Sequence, residues 1–307
     1  MTFQNIGKGR AISRAFLAGG IALLPLSTHA HGIAGDRVFP ATIVTDDPAA
    51  ASEVSLPTVD WFPQPRDSVG NVPSETDIGG ELDVLVLPDI ALGIAPQWSS
   101  ITAKDEKGGY GFQNLEVSGK YQFYENDEHE ILLSAGLVAE IGSTGSANVG
   151  SDRSSTLTPT FYFGKGMGDL PDDMALLKPF AVTGTIGFAV PQSRADSDVF
   201  QPGVAVEYSM QYLKSSVKDY GLPEFINHLV PVVEVPLTLG LDNGNHSLGG
   251  TVNPGVIYLG ETWQFGIEAI VPVNASIQHG TGVIAQYHIF LDDLIPAVFS
   301  QPLFGGN

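Results

Sequence analysis

The chain has 307 residues, with 34 acids against 14 bases, a net charge of −20, 36 glycines and no cysteine. A disulfide framework, a thiol nucleophile and a thiolate metal site are therefore excluded. An acidic chain repels phosphate backbones, so nucleic acid is excluded as a partner, and no cofactor is expected.

Residues 1–30 read as a secretory signal peptide, cleaved before His31. They hold a basic stretch with Lys8, Arg10 and Arg14, an apolar run over 15–26, and a small-residue site at Thr28, His29 and Ala30. The apolar run is about half the roughly 20 residues that a spanning helix needs. Residues 31–52, with Gly32, Gly35, Pro40 and Pro48, read as an irregular segment beneath the barrel or plugging it. Residues 53–291 read as a transmembrane β-barrel and 292–307 as a periplasmic cap.

Strands follow from period-two alternation, which places successive side chains on opposite faces. A strand over 53–61 is required by topology. The next two runs carry Leu82, Val84 and Val86, and then Ile90, Leu92, Ile94 and Trp98, on their apolar faces. Over 111–124, Leu115, Val117, Gly119, Tyr121 and Phe123 alternate with Asn114, Glu116, Ser118, Lys120 and Gln122. The next apolar face is Ile131, Leu133, Ala135, Leu137, Ala139 and Ile141. Later faces begin at Leu157, Phe180, Val204, Val233, Val252, Trp263 and Val283, and the one from Val204 is read through Met210 and Tyr212.

Soluble sandwiches also alternate. The strands here are longer than the usual five or six residues, approach the roughly 9–11 that cross a bilayer, and follow a leader. The predicted fold is an all-β, antiparallel up-and-down transmembrane barrel of about twelve strands with short periplasmic helices or caps. Short breaks at Pro88-Asp89, 125–128 and Gly260-Glu261 are placed in the periplasm, and a short helix is expected near Pro223. Aromatics then gather at strand ends, with Tyr121, Phe123, Phe163, Phe180, Tyr212, Tyr258, Trp263 and Phe265 on the periplasmic side.

The segments Phe39-Pro40-Ala41-Thr42, Asp46-Asp47-Pro48, GFQNLEVSGKYQFYENDEHEILLSAG, TPTFYFGKGMGDLP and GLPEFINHLVP, with Leu291-Asp292-Asp293 and Pro302-Leu303-Phe304, carry a resemblance. The chain resembles a family of proteobacterial outer-membrane barrels described as transporters, similar to those encoded beside phenol-degradation pathways. The resemblance implies an outer-membrane barrel and assigns no catalytic residue.

The lumen face is expected to carry Glu81, Asp83, Glu116, Glu130, Glu140, Glu207, Glu234 and Glu268, with Lys120 paired to Glu130 across a hairpin. An acid-lined pore favours cations or neutral solutes, and Glu116, Glu207, Glu234 and Glu268 are expected to set selectivity. His31, once freed, offers an amine and an imidazole to Cu(II), against an ordinary terminal histidine. His288 is expected in the lumen, beside Glu268 on a neighbouring strand without a matching serine, which disfavours an enzyme. The functional expectation is a narrow passive channel in the cell outer membrane. A structural or stress-related barrel is the alternative, and a barrel-borne hydrolase comes third. The expected partners are outer-membrane lipids, small-molecule solutes and the barrel-assembly machinery.

Overall fold

The computed structural model describes residues 32–64, 72–102, 108–241, 248–274 and 280–305. Residues 1–31 lie outside the described residues, so the leader expected over 1–30 and the chelation expected at His31 do too. A hairpin of β1 (Gly32–Ala34) and β2 (Arg37–Phe39) precedes the barrel. The wall then runs through β3 (Glu53–Pro63), β4 (Ser74–Leu87), β5 (Ile90–Ala95), β6 (Gln97–Thr102), β7 (Gly109–Phe112), β8 (Leu115–Asn126), β9 (Ile131–Ile141) and β10 (Thr156–Gly166). It continues through β11 (Phe180–Pro191), β12 (Val199–Tyr208), β13 (Leu229–Gly240), β14 (Leu248–Leu259), β15 (Trp263–Pro272) and β16 (Gly282–Phe290).

Pro96 lacks an N–H and interrupts one crossing into β5 and β6, which both pair with β4. The next crossing is likewise split into β7 and β8 at Gln113 and Asn114, so twelve antiparallel crossings form the wall. The first and last close the ring, with Val283 opposite Trp61 and Phe290 opposite Glu53. Among the described residues, closure leaves no crossing without a strand neighbour on both sides.

The wall is inverted relative to a soluble protein. Leu92, Ile94, Leu137, Ile186, Phe188 and Ile267 are exposed on its outside. Ser134, Thr183, Glu207, Glu234, Asn253, Gln264 and Glu268 are buried inside. A continuous apolar exterior this large does not survive in water. Each crossing pairs antiparallel with the crossings on both sides, which satisfies the backbone within the sheet as hydrocarbon requires. At the short-turn end, Phe225, Tyr258, Trp263 and Tyr287 stack in series at centroid separations of 5.4, 5.5 and 5.6 Å, forming one arc of an interfacial girdle.

Two expectations are corrected. The strand read from Glu81 begins at Ser74, because Ile78 faces outward while Glu75 and Asp77 face inward and both flanking strands pair with it. Its glycines and acids hide that alternation. Met210 and Tyr212 do not extend β12, because Ser209 caps a helical turn there by accepting from the Tyr212 N–H at 3.1 Å. Tyr212 is buried and takes no part in the girdle. A helical turn, Glu224–Asn227, does follow Pro223, and two more, Leu291–Leu294 and Pro296–Phe299, follow β16.

Candidate functional site

The β1–β2 hairpin sits at the short-turn end, where Gly35 donates its N–H to Asp127 at 2.9 Å. Arg37 is wholly buried. Its Nε donates to Glu130 at 3.2 Å, Nη1 to the Pro179 carbonyl at 3.0 Å and Nη2 to the Lys178 carbonyl at 2.5 Å. Its guanidinium also lies 3.8 Å from the centre of the Tyr212 ring, and the Tyr212 hydroxyl donates to Glu130 at 2.8 Å. Burial, together with that bond to a carboxylate, pushes the hydroxyl up to about 12. Side chains at Gly166 or Gly168 would overlap the Glu130 carboxylate, so both glycines are needed for its approach. This network corrects the pairing expected for Lys120. The register sets Lys120 opposite Gly136, and Glu130 belongs to Arg37.

Beyond Phe39 the chain crosses the lumen without regular structure, and its backbone is satisfied by the inner wall. Glu234 accepts from the N–H groups of Ile43, Val44 and Thr45 at 2.6, 3.0 and 2.5 Å. Gln264 donates to the Ala41 carbonyl at 2.5 Å, and Ser134 donates to the Pro48 carbonyl. Lys120 donates to the Asp46 carboxylate and the Asp47 carbonyl, both at 2.9 Å. Ser52 accepts from the Leu85 N–H and the Leu291 N–H, each at 3.0 Å, and delivers the chain into β3. The anchors therefore come from β4, β8, β9, β13 and β15 and from the turn after β16.

Against this segment lies a cavity of about 440 Å³. Glu81, Asp83, Glu116, Glu140, Asp46 and Lys120 line one arc of it, and Thr156, Thr158, Thr160, Thr185, Thr238 and Gln201 line another. A second cavity of about 350 Å³ shares Glu81, Glu116 and Glu140 with it and reaches Asp60, Asp77 and Gln286. Of the ten lumen residues expected from sequence, five, namely Glu81, Asp83, Glu116, Glu140 and Lys120, thus meet open space. Glu207, Glu234 and Glu268 are instead buried, with exposures of 2%, 0% and 1%. Thr183 donates to Glu207 at 3.2 Å.

His288 is also buried, and its surroundings differ from those expected. Glu268 pairs with Ile284, four residues along β16 from His288. The Nδ1 of His288 instead lies 2.8 Å from the Ser55 hydroxyl, and its Nε2 lies 3.2 Å from Glu53. A serine at matching depth does exist. It stands on β3, which becomes a neighbour of β16 only because the barrel closes. Ser55, Glu53, Asp46, Arg37, Asp60 and Asp77 escaped the sequence reading. Alternation along 53–61 would have exposed part of the set, but a register shift between Ser55 and Thr58 breaks its phase.

A closed barrel of twelve crossings with an apolar exterior, a polar lumen and a segment threaded through it defines a transmembrane β-barrel. No protein-family model matches the sequence, and no curated protein matches it. Among solved structures, the chain is similar to an outer membrane channel from Pseudomonas putida F1 with a TM-score of 0.52 and 10% identity, covering 82% of this chain and 99% of that one. The KdgM porin gives a TM-score of 0.41 at 12% identity, covering 76% and 98%. The translocator domain of the autotransporter NalP from Neisseria meningitidis gives 0.43 at 8%, covering 79% and 88%. At these identities the likeness to the Pseudomonas channel is one of fold.

Proposed function

We propose that this protein is an outer-membrane channel for the passive passage of small neutral or cationic solutes, exported by its leader and inserted by the barrel-assembly machinery. The observation that carries the reading is the acid-lined cavity against the threaded segment. Its volume of about 440 Å³ falls in the range of small-molecule pockets, and its charge disfavours anions. The resemblance to barrels encoded beside phenol-degradation pathways supports small aromatic solutes as the first class to test. The threaded segment favours a gated or slow conductor over an open pore. A structural barrel is the second reading, supported by the many bonds that hold residues 41–52 in the lumen. Reconstitution in planar bilayers tests the two. Discrete, weakly cation-selective conductance is expected, and persistently silent bilayers would favour the structural role.

A further inference from the structure

Where β16, β3 and β4 lie side by side, Asp60 stands directly opposite Asp77, and Gln286 stands opposite Thr58 two residues below Asp60. All three side chains line the cavity of about 350 Å³. One oxygen of each, the Oδ1 of Asp60, the Oδ1 of Asp77 and the Oε1 of Gln286, is buried without a hydrogen-bond partner. Gln286 and Asp77 are each only 8% exposed. The Gln286 amide is held by its Nε2, which donates to the Thr58 hydroxyl at 3.1 Å, and its carbonyl oxygen is left without a partner. Like charges directly across a strand pair repel, and a buried acceptor without a donor is costly. Both penalties are relieved by one ligand, a cation bound between the three oxygens.

We infer that Asp60, Asp77 and Gln286 form a binding site for a hydrated divalent cation of the calcium and magnesium class. The donors are all hard oxygens, which suit these ions and not softer metals. Among the described residues, no group of three or more His, Cys, Asp or Glu converges as a metal site. Two carboxylates and one amide therefore make up the protein's share, and water completes the coordination. Such a partial shell predicts weak binding, with Kd of about 10⁻⁴–10⁻³ M. The site ties three neighbouring crossings together across the closure seam and requires no conduction.

The test is calcium titration of the folded chain in detergent by calorimetry, with folding checked by heat-modifiable gel migration. Saturable one-to-one binding is expected, weakened tenfold or more in Asp60→Asn/Asp77→Asn and several-fold in Gln286→Leu. Gln286→Leu keeps both acids and tests the site even if the double variant misfolds. Absence of saturable binding by calcium or magnesium, unchanged affinity in folded variants, or equal loss in Glu116→Gln would overturn the assignment. Tighter binding of methylammonium than of calcium would overturn the metal class. Silent bilayers with intact calcium binding would count against the channel and leave this site standing.

Discussion

The Glu234 carboxylate accepts hydrogen bonds from three consecutive backbone N–H groups, those of Ile43, Val44 and Thr45. Within the segment the Thr42 hydroxyl donates to the Thr45 carbonyl, and the wall acid gathers the three N–H groups of the same turn, so it acts as a template for the path there. A hydrogen bond to a charged group contributes about 1.5–3 kcal/mol. Glu234→Ala leaves three donors stranded, and the segment is expected to leave its place while the barrel stays closed. Conductance should rise at least tenfold with unchanged gel migration. Wild-type conductance in a folded variant would show that Glu234 does not hold the segment.

The absence of cysteine permits a direct lock. An added Cβ at Gly203 would lie 3.0 Å from the Thr45 methyl carbon and 3.1 Å from its hydroxyl oxygen. Thr45→Cys/Gly203→Cys therefore places two thiols within reach of the usual disulfide Cβ separation of about 3.8 Å. Oxidation should suppress whatever conductance the variant shows when reduced. Equal conductance in both redox states would mean that solutes pass without moving Thr45.

The barrel was legible because crossings such as 131–141 and 263–271 alternate cleanly, and a hydrocarbon surround inverts only which face is apolar. The interior was far less legible. A period-two pattern says that Glu116 and Glu234 share the inward face, but not that a chain of low periodicity covers one and leaves the other open. The contact between His288 and Ser55 joins residues 233 apart in sequence through ring closure. No local pattern reports it. Arg37 was obscure for the same reason, since its partners come from three separate turns and loops.

Arg37 joins the hairpin to the short-turn end. Arg37→Ala removes the cation of a buried ion pair and leaves Glu130 only the neutral donors Tyr212 and Gly168, a class of change that costs about 3–5 kcal/mol. The hairpin is expected to detach and trypsin to cut at Arg153 or Lys165 no faster than in the wild type. Residues 32–40 should lose amide-exchange protection by at least a hundredfold. Retained protection there would refute the clamp.

Asp292, at the start of the turn after β16, is pushed up to about 8 by burial, with Asp293 and Glu53 adding to the effect. The folded chain then holds a proton that the unfolded chain releases near 3.9. Stability from this group is present below about pH 4 and declines as pH rises to about 8, beyond which it stays flat. Amide exchange over 291–299, corrected for intrinsic rates, should quicken between pH 5 and pH 8. Asp292→Asn should remove that dependence, and a variant that tracks the wild type would locate the titration elsewhere.

The geometry narrows which acids can set selectivity. Glu207 and Glu234 are occupied by Thr183 and by the threaded segment, and Glu268 is fully enclosed. Glu81, Asp83, Glu116 and Glu140 line the larger cavity, where only Lys120 opposes them among its described lining residues, and that lysine is already paired with Asp46. These four acids are the ones a moving ion would meet. Converting them together to Glu81→Gln, Asp83→Asn, Glu116→Gln and Glu140→Gln should shift the reversal potential in a tenfold salt gradient toward zero. The wild-type preference should be larger at 0.01 M salt than at 1 M, because the Debye length falls from about 30 Å to about 3 Å. A reversal potential unmoved by the four substitutions would take these acids out of the conducting path.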